Sequence, residues 1–273
     1  MDCYTYKEIN NCSTPILKNV DVVLILTMEG STRFKEDPFL LNLAKKTLIQ
    51  YNKGFRKCNK PSTIISSKED IVHAYYTAFN YLKDCNNVII LEDDAQVINK
   101  DILIYEKIDA FIKVTDFDIF TFGSSGLFSN YNDNFYKIVF SFFQANQAII
   151  YSKQARAKLI EDISLSNFSK GQIDDAYVGT LTRKFTYKYP LIVQLFPKTE
   201  NRNNWTNNIL ILAIFELTIA LLRLDTHTES WFLIYFIYRN YIAILIFVIM
   251  LIILISIHYL NVYKVKSVKI SII

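Results

Sequence analysis

The sequence predicts an α/β domain with a mostly parallel central sheet, followed by apolar helices that include a membrane span. Short apolar runs alternate with stretches of helical spacing between residues 21 and 196. The run Val88–Leu91 is apolar without a break, as in a strand buried on both faces. The apolar content of 51% is concentrated near the C-terminus. We divide the chain into a domain at 1–207, an amphipathic or interfacial helix and connector at 208–230, a transmembrane segment at 231–260 and a short basic tail at 261–273.

The elements follow from apolar spacing, with strands assigned to short continuous runs and helices to intervals of three and four residues. Ser67 is a plausible N-cap because polar Asp70 follows three positions later. The segment between residues 123 and 134 is rich in Gly, Ser and Asn, which is typical of a loop. The expected strands are Asp21–Thr27, Thr63–Ser66, Val88–Leu91, Asp118–Phe122, Lys137–Phe143, Ala148–Tyr151, Phe185–Tyr187 and Leu191–Phe196, and the expected helices are Pro38–Asn52, Ser67–Lys83, Ile102–Val114, Lys153–Asp162 and Asp174–Arg183.

Charge and cysteine usage argue against a nucleic-acid partner and a zinc site, and they do not imply a disulfide framework. The formal net charge is +4 and no Lys/Arg-rich block occurs, so no nucleic-acid partner is predicted. The four cysteines are scattered without a Cys-x-x-Cys pair, and no histidine stands at ligand spacing to them. The cysteines therefore predict neither a zinc site nor a disulfide framework.

The strongest membrane feature is Tyr241–Tyr259, nineteen residues without a formally charged side chain. At 1.5 Å per residue this helix would span about 28 Å, close to the hydrocarbon core of a bilayer. Tyrosines and Trp231 flank it as in interfacial aromatic belts. A buried helix of a globular protein is the alternative. Ile209–Leu222 is shorter and contains Glu216, which favours an interfacial or packed helix over a second span.

The orientation in the membrane stays open at this stage. The tail contains Lys264, Lys266 and Lys269, which favours a cytosolic tail. The polar N-terminus has no apolar core of a signal peptide, which favours a cytosolic catalytic domain. Both hold only if Ile209–Tyr259 forms a hairpin; otherwise the basic tail is translocated.

Three consecutive carboxylates, Glu92, Asp93 and Asp94, follow the strand Val88–Leu91. Such a cluster is electrostatically costly, and a hard cation such as Mg²⁺ or Mn²⁺ relieves the repulsion. In an extended chain Glu92 and Asp94 point to one face and Asp93 to the other. Asp94 projects furthest into the crevice beyond the strand end, where α/β sheets bind ligands. The alternative is a solvated acidic loop that caps a helix starting near Asp101.

The sequence resembles glycosyltransferase family 25, the lipooligosaccharide and collagen sugar transferases. His73 lies on the preceding helix, twenty residues before Asp93, and Leu91-Glu-Asp-Asp94 matches the acidic strand end of that family. The segments Gln147–Leu159, Ile173–Gly179 and Gln194–Trp205 are similar to later family motifs, the second to the acidic motif that opens a late helix in GT-A transferases. The resemblance covers roughly Asp21 to Trp205.

The resemblance implies a GT-A-like fold and a metal-dependent, inverting transfer of a sugar from a nucleotide-sugar, UDP-linked, to an acceptor hydroxyl. It implies that Asp94, with Asp93 or Glu92, holds Mn²⁺ or Mg²⁺ against the donor diphosphate. Asp175 is the first choice for the base that deprotonates the acceptor and Asp174 the second. Because both open a helix, an N-cap role is the alternative.

Arg33 follows the first strand, where the family binds nucleotide phosphate or base, although a surface arginine is the alternative. His73 is a candidate for the donor or metal site, or else a hydrogen-bonded structural histidine. The expected partners are a glycan, glycoprotein or lipid acceptor and a membrane. A degenerate GT-A domain that serves as a membrane-associated binding module is the second hypothesis. A nucleotidyl- or phosphoryl-transferase is disfavoured because only Gly30 follows the first strand.

Overall fold

A nine-stranded sheet forms the centre of the chain in the computed structural model, which describes residues 2–123, 125–143, 148–170, 173–196 and 209–270. Its order is β1-β3-β2-β4-β9-β6-β10-β8-β7, and β5 and β11 form a separate two-stranded sheet. The strands are β1 Tyr4–Asn11, β2 Val22–Met28, β3 Lys46–Asn52, β4 Asn87–Glu92, β5 Ala95–Val97, β6 Ile119–Thr121, β7 Ser125–Asn130, β8 Phe135–Phe143, β9 Ala148–Ser152, β10 Lys184–Tyr187 and β11 Ile192–Gln194.

The large sheet is mixed and mostly antiparallel. Strands β3, β2 and β4 run parallel, as do β6 and β10, whereas the other five neighbouring pairs are antiparallel. The prediction of a mostly parallel sheet is therefore wrong for the sheet as a whole. The physical reason is that β9 runs antiparallel between β4 and β6. A continuous apolar run records burial on both faces, and burial does not determine strand direction.

Helices cover both faces of the sheet. Alternate residues of β2 and β4 face opposite cores: Val23 and Ile89 pack on the side of α3, and Leu24 and Ile90 on the side of α2 and α4. The α/β class and the two-sided burial of these strands are thus confirmed. The helices are α1 Pro38–Leu41, α2 Ser67–Tyr81, α3 Ile102–Val114, α4 Lys153–Leu165, α5 Ile209–Leu222, α6 Ser230–Arg239 and α7 Tyr241–Ile270, with a π turn at Ile173–Tyr177 and a 3-10 turn at Val178–Thr180.

Several predicted elements need correction. The predicted helix Pro38–Asn52 stops at Leu41, and its second half is the strand β3, because β1 and β2 on either side supply backbone partners that override its helical spacing. The expected strand Thr63–Ser66 is a turn that leads into α2, and the N-cap is Ser66 rather than Ser67. Ser66 and Glu69 form a capping box. The predicted loop after residue 123 contains β7, which pairs with β8.

The N-terminal segment adds an edge strand and a disulfide that the sequence analysis did not predict. Strand β1 pairs antiparallel with β3, and a disulfide joins Cys3 to Cys58 with a Cα–Cα distance of 5.5 Å. The two cysteines are separated by 55 positions in the sequence, and only the tertiary fold brings them together.

The C-terminal helices begin with α5, which has the bounds predicted from the sequence. Helix α6 packs on the domain that contains the nine-stranded sheet, which we call the sheet domain. The contacts are made by Trp231 and Tyr235, although both fall in the segment predicted to be transmembrane. The Tyr235 hydroxyl lies 3.0 Å from Thr186 Oγ1 of β10. Within the described residues no single helix combines the length and apolar composition needed to cross a membrane. Ser230–Arg239 and Tyr241–Ile253 meet those criteria as a pair, with a bend of 77° between them.

Candidate acidic site at the ends of two parallel strands

The acidic residues lie where β2 and β4 end side by side. The two strands are parallel neighbours, with Leu26 opposite Glu92, so their carboxyl ends open at the same edge of the sheet. The loop after β2 brings Ser31 and Arg33 to this edge, and the turn after β4 brings Asp93 and Asp94. Open α/β sheets bind ligands in the crevice beyond such strand ends.

Gly30 shapes the loop after β2. The Ser31 amide donates to the Met28 carbonyl at 3.0 Å, and Gly30 has a φ of +81°. A turn with positive φ at its third position favours glycine, because a Cβ there is strained. The turn reverses the chain and presents the Ser31 hydroxyl to Asp93.

Asp93 is the anchoring carboxylate of the site. It is buried, and its Oδ2 accepts hydrogen bonds from Thr27 Oγ1 at 2.7 Å and Ser31 Oγ at 2.8 Å. Its Oδ1 forms an ion pair with Arg33 Nη2 at 2.5 Å. Both oxygens thus have protein partners, which fix the loop after β2 against the turn after β4.

Asp94 has one engaged oxygen and one without a hydrogen-bond partner. Its Oδ2 accepts from Gln194 Nε2 at 3.0 Å and lies 3.3 Å from Arg33 Nη1. Its Oδ1 is buried and has no hydrogen-bond partner among the described residues. Burial raises the pKa of Asp94, while Gln194 and Arg33 act in the opposite direction. A buried carboxylate oxygen without a hydrogen-bond partner is stabilised when it binds a proton, a cation or another ligand.

Glu92 places a second carboxyl group beside Asp94. Its Oε1 accepts a hydrogen bond from the Tyr75 hydroxyl at 3.1 Å. Burial, and next the charge of Asp94, raise the pKa of Glu92 to about 8. Glu92 therefore carries a proton near neutral pH, and a cation would displace that proton.

Arg33 is the cation that the protein itself supplies. Its guanidinium bridges Asp93 and Asp94, and 45% of its side chain is exposed, so it borders the open side of the site. A guanidinium fork suits both carboxylate and phosphate oxygens. Arg33 thus contacts two of the three acids, and its role toward a donor phosphate stays a prediction.

Gln194 connects the acidic turn to the C-terminal helices. Strand β11 pairs with β5, which places Gln194 opposite Ala95 and its amide on Asp94. The backbone carbonyl of Gln194 accepts a hydrogen bond from Trp231 Nε1 of α6 at 3.0 Å. Thr27, Ser31, Tyr75 and Gln194 also belong to the site, and no sequence pattern predicts them. Only Gln194 has an indication in the sequence, because it is the first residue of one of the segments that resemble family 25.

His73 lies in an aromatic cluster on α2. Its Nδ1 is 2.7 Å from the Tyr4 hydroxyl, and its ring packs near those of Tyr76 and Phe168. Burial, and next the charge of Lys60, lower its pKa. These contacts correspond to the structural alternative for His73, and the structure does not bring it into described contact with the acids.

The predicted base residues lie in a different type of helix from the one expected. The backbone of Asp174 and Asp175 forms part of the π turn Ile173–Tyr177, which passes into the 3-10 turn Val178–Thr180. Their side chains lie outside the described residues, so their relation to Asp94 stays a prediction. The predicted helix Asp174–Arg183 stops at Thr180, because the backbone N–H groups of Thr182 and Arg183 donate to the Asp118 carboxylate instead of continuing a helix.

The residues present fit a divalent cation only as a site with few protein ligands. Among the described side chains, no three His, Cys, Asp or Glu residues converge as a metal-binding group. Asp94 Oδ1 is the available oxygen and Glu92 is its carboxyl neighbour, whereas the oxygens of Asp93 are engaged. Mg²⁺ and Mn²⁺ accept one or two protein carboxylates when phosphate and water supply the other ligands.

Comparison with known proteins assigns no family to the chain. No protein-family model matches it, and no curated protein matches it. Among solved structures it is similar to a protein titled "Crystal Structure of A197 from STIV", with 13% identity and a TM-score of 0.38, over 66% of this chain and 96% of that one. A similarity this weak carries no argument about fold family or function.

Proposed function

We propose that the chain is a metal-dependent glycosyltransferase that moves a sugar from a UDP-linked donor to an acceptor hydroxyl. The observation that carries the proposal is the buried, unpartnered Oδ1 of Asp94 beside Glu92, at the carboxyl ends of two parallel strands. The resemblance of this strand end to family 25 supplies the reaction class. The proposal is supported by the unpartnered oxygen of Asp94, which would contact a cation, and by the exposed guanidinium of Arg33, which would contact a diphosphate.

The roles divide among three groups of residues. Asp94 and Glu92 would hold Mn²⁺ or Mg²⁺, which when bound offsets the charge of a diphosphate leaving group. Asp93 orients Arg33, whose exposed guanidinium would contact a donor phosphate. Asp175, or else Asp174, remains the proposed base for the acceptor hydroxyl, with inversion at the sugar carbon as the expected stereochemistry.

The acceptor is proposed to be a glycan, glycoprotein or lipid at a membrane. Helix α6 buries Trp231 and Tyr235 against the sheet domain but leaves Phe232 and Phe236 exposed. Helix α7 exposes apolar side chains over its first turns, from Ile242 onward. Exposed apolar surface of this extent favours association with lipid. Anchoring through residues 231–260 is thus part of the proposal.

A second candidate function is a catalytically degenerate GT-A domain that binds without turnover. The observation that favours it is Arg33, which already neutralises Asp93 and Asp94 as a bound cation would. In such a module Arg33 would replace the metal permanently, and donor binding would not depend on Mn²⁺.

The test uses the purified full chain in detergent micelles. Nucleotide-sugars are screened for thermal stabilisation with Mn²⁺ and again with EDTA, and nucleoside diphosphate release is measured for each donor that binds. A ligand that binds only the folded state raises the melting temperature. We expect Mn²⁺-dependent stabilisation by one UDP-sugar, with release of UDP when an acceptor is present.

Two variants make the test specific. Asp94→Asn keeps the shape of the side chain but weakens it as a metal ligand, so the Mn²⁺-dependent shift should disappear. Asp133→Asn alters an exposed acid in the β7–β8 turn and should leave the shift unchanged. Donor binding that is equal with Mn²⁺ and EDTA, without UDP release, would favour the degenerate module. No donor binding by a folded sample would contradict both candidates.

A further inference from the structure

The disulfide between Cys3 and Cys58 joins two segments that other contacts already hold together. Tyr4, next to Cys3, stands opposite Asn52 in the β1–β3 ladder, and the Lys53 amide donates to the Cys3 carbonyl at 3.2 Å. On the other side, Lys60 is buried in an ion pair with Asp70 and so anchors the segment that contains Cys58. The fold therefore brings the two thiols within bonding distance, independently of the bond itself.

Both bridged cysteines are only partly buried, so reductants in solution can reach the bond. Disulfides of this kind persist in secretory, extracellular and periplasmic environments, whereas the cytosol keeps thiols reduced. The remaining cysteines, Cys12 and Cys85, are unpaired and also partly buried. The bridge thus indicates which side of a membrane the sheet domain occupies.

The glycosylation triplets provide a second and independent observation. Asn11-Cys-Ser13 and Asn167-Phe-Ser169 are Asn-x-Ser triplets, and the side chains of Asn11 and Asn167 are exposed. Asn167 lies in the turn after α4 with a φ of +49°, and its backbone N–H donates to the Ser164 carbonyl at 3.1 Å. An exposed asparagine side chain in a turn is sterically open to a glycan. A third triplet, at Asn204, lies outside the described residues.

The basic tail agrees with both observations. Lys264, Lys266 and Lys269 follow the apolar stretch that ends near Tyr259. Lysines that flank an apolar stretch favour the cytosolic side, and a single membrane crossing between them and the sheet domain would place that domain on the opposite side.

We propose that the sheet domain folds in an oxidising compartment, where Cys3 and Cys58 form a disulfide and Asn11 and Asn167 are N-glycan acceptors. The two thiols lose two electrons and two protons to the disulfide of a thiol oxidoreductase, which becomes a dithiol. Each asparagine amide nitrogen forms a bond to a sugar carbon and loses a proton, while a lipid-linked diphosphate leaves. This side is opposite to the cytosolic side favoured by the polar N-terminus, and the proposal does not depend on the transferase function.

The bridge is tested by counting oxidised thiols in the full chain expressed in a eukaryotic cell line. Free thiols are blocked with N-ethylmaleimide in denaturant at lysis, disulfides are then reduced, and the released thiols are labelled with a polyethylene-glycol maleimide. The wild type should gain two labels. Cys3→Ser with Cys58→Ser should gain none, and Cys12→Ser with Cys85→Ser should still gain two. A wild type without labels would overturn the proposed compartment.

The acceptors are tested on the same samples by treatment with an N-glycosidase. The wild type should gain mobility on a gel after treatment. Replacing the asparagine of each triplet by glutamine should remove the difference one glycan at a time. Wild-type protein whose mobility does not change would overturn the acceptor assignment, whatever the thiol count shows.

Discussion

Replacing Glu92 with glutamine tests the electrostatics of the acidic site. In the folded chain the pKa of Glu92 is about 8, compared with an ordinary value of 4.5. Between these two pH values the native state holds a proton that the unfolded chain releases. Stability therefore falls as pH rises through this window, and the loss is complete above the folded pKa. Glutamine stays neutral, so Glu92→Gln should remove this part of the pH dependence.

The size of the effect follows from the width of the window. Each unit of pKa difference corresponds to about 1.4 kcal/mol, so the loss between pH 4.5 and pH 8 is up to about 5 kcal/mol. The charge of Asp94 contributes to this loss only by repelling ionised Glu92, and a neutral glutamine removes that repulsion as well. We therefore expect Glu92→Gln to gain a few kcal/mol relative to wild type between pH 5 and pH 9.

The assay is denaturant unfolding of the full chain in detergent micelles with EDTA, at intervals from pH 5 to pH 9. Glu106→Gln, which alters an exposed glutamate of α3, is the matched control and should follow the wild-type curve. Parallel pH curves for wild type and Glu92→Gln would refute the account, because they would mean that Glu92 titrates alike in the folded and unfolded chain.

Three further substitutions test the surrounding structure. Asp70→Asn leaves the buried ammonium of Lys60 without its charged partner, so unfolding should become easier by about 3–5 kcal/mol in denaturant titrations. Cys3→Ser opens a loop of 55 residues, and it should lower stability by up to about 4 kcal/mol, measured against wild type under non-reducing conditions. Trp231→Phe removes the donor to the Gln194 carbonyl. It should cost about 1–2 kcal/mol and raise hydrogen exchange in β11, whereas unchanged exchange there would argue against the connection between α6 and the site.

The sequence predicts elements where one local pattern dominates. Helix Ile102–Val114 has the predicted bounds because an apolar stripe and the N-cap Asp101 agree with each other. Strand β4 was predicted from its continuous apolar run. The prediction of a helix from Pro38 to Asn52 is wrong over β3, because backbone pairing with β1 and β2 outweighs the helical spacing of its apolar residues. Strand direction in the sheet also depends on tertiary pairing.

In the candidate site, too, some features follow from local sequence patterns and others depend on tertiary pairing. The three acids and Arg33 stand at or just after the ends of two buried strands, but their convergence at one edge also requires β2 and β4 to pair in parallel. The contact of Gln194 with Asp94 spans 100 positions and depends on the pairing of β11 with β5, for which the sequence offers no local pattern. The engagement of both oxygens of Asp93 likewise depends on the turn at Gly30. The acids are therefore recognisable in the sequence, whereas the unpartnered oxygen of Asp94 is visible only in the structure.

Mn²⁺ binding to the full chain, followed by electron paramagnetic resonance with and without UDP, tests whether Asp94 holds a metal ion. We expect one Mn²⁺ site per chain that binds more tightly with UDP, is lost in Asp94→Asn and is retained in Asp133→Asn. Equal binding by all three proteins, or no binding by folded wild type in the presence of UDP, would contradict this expectation.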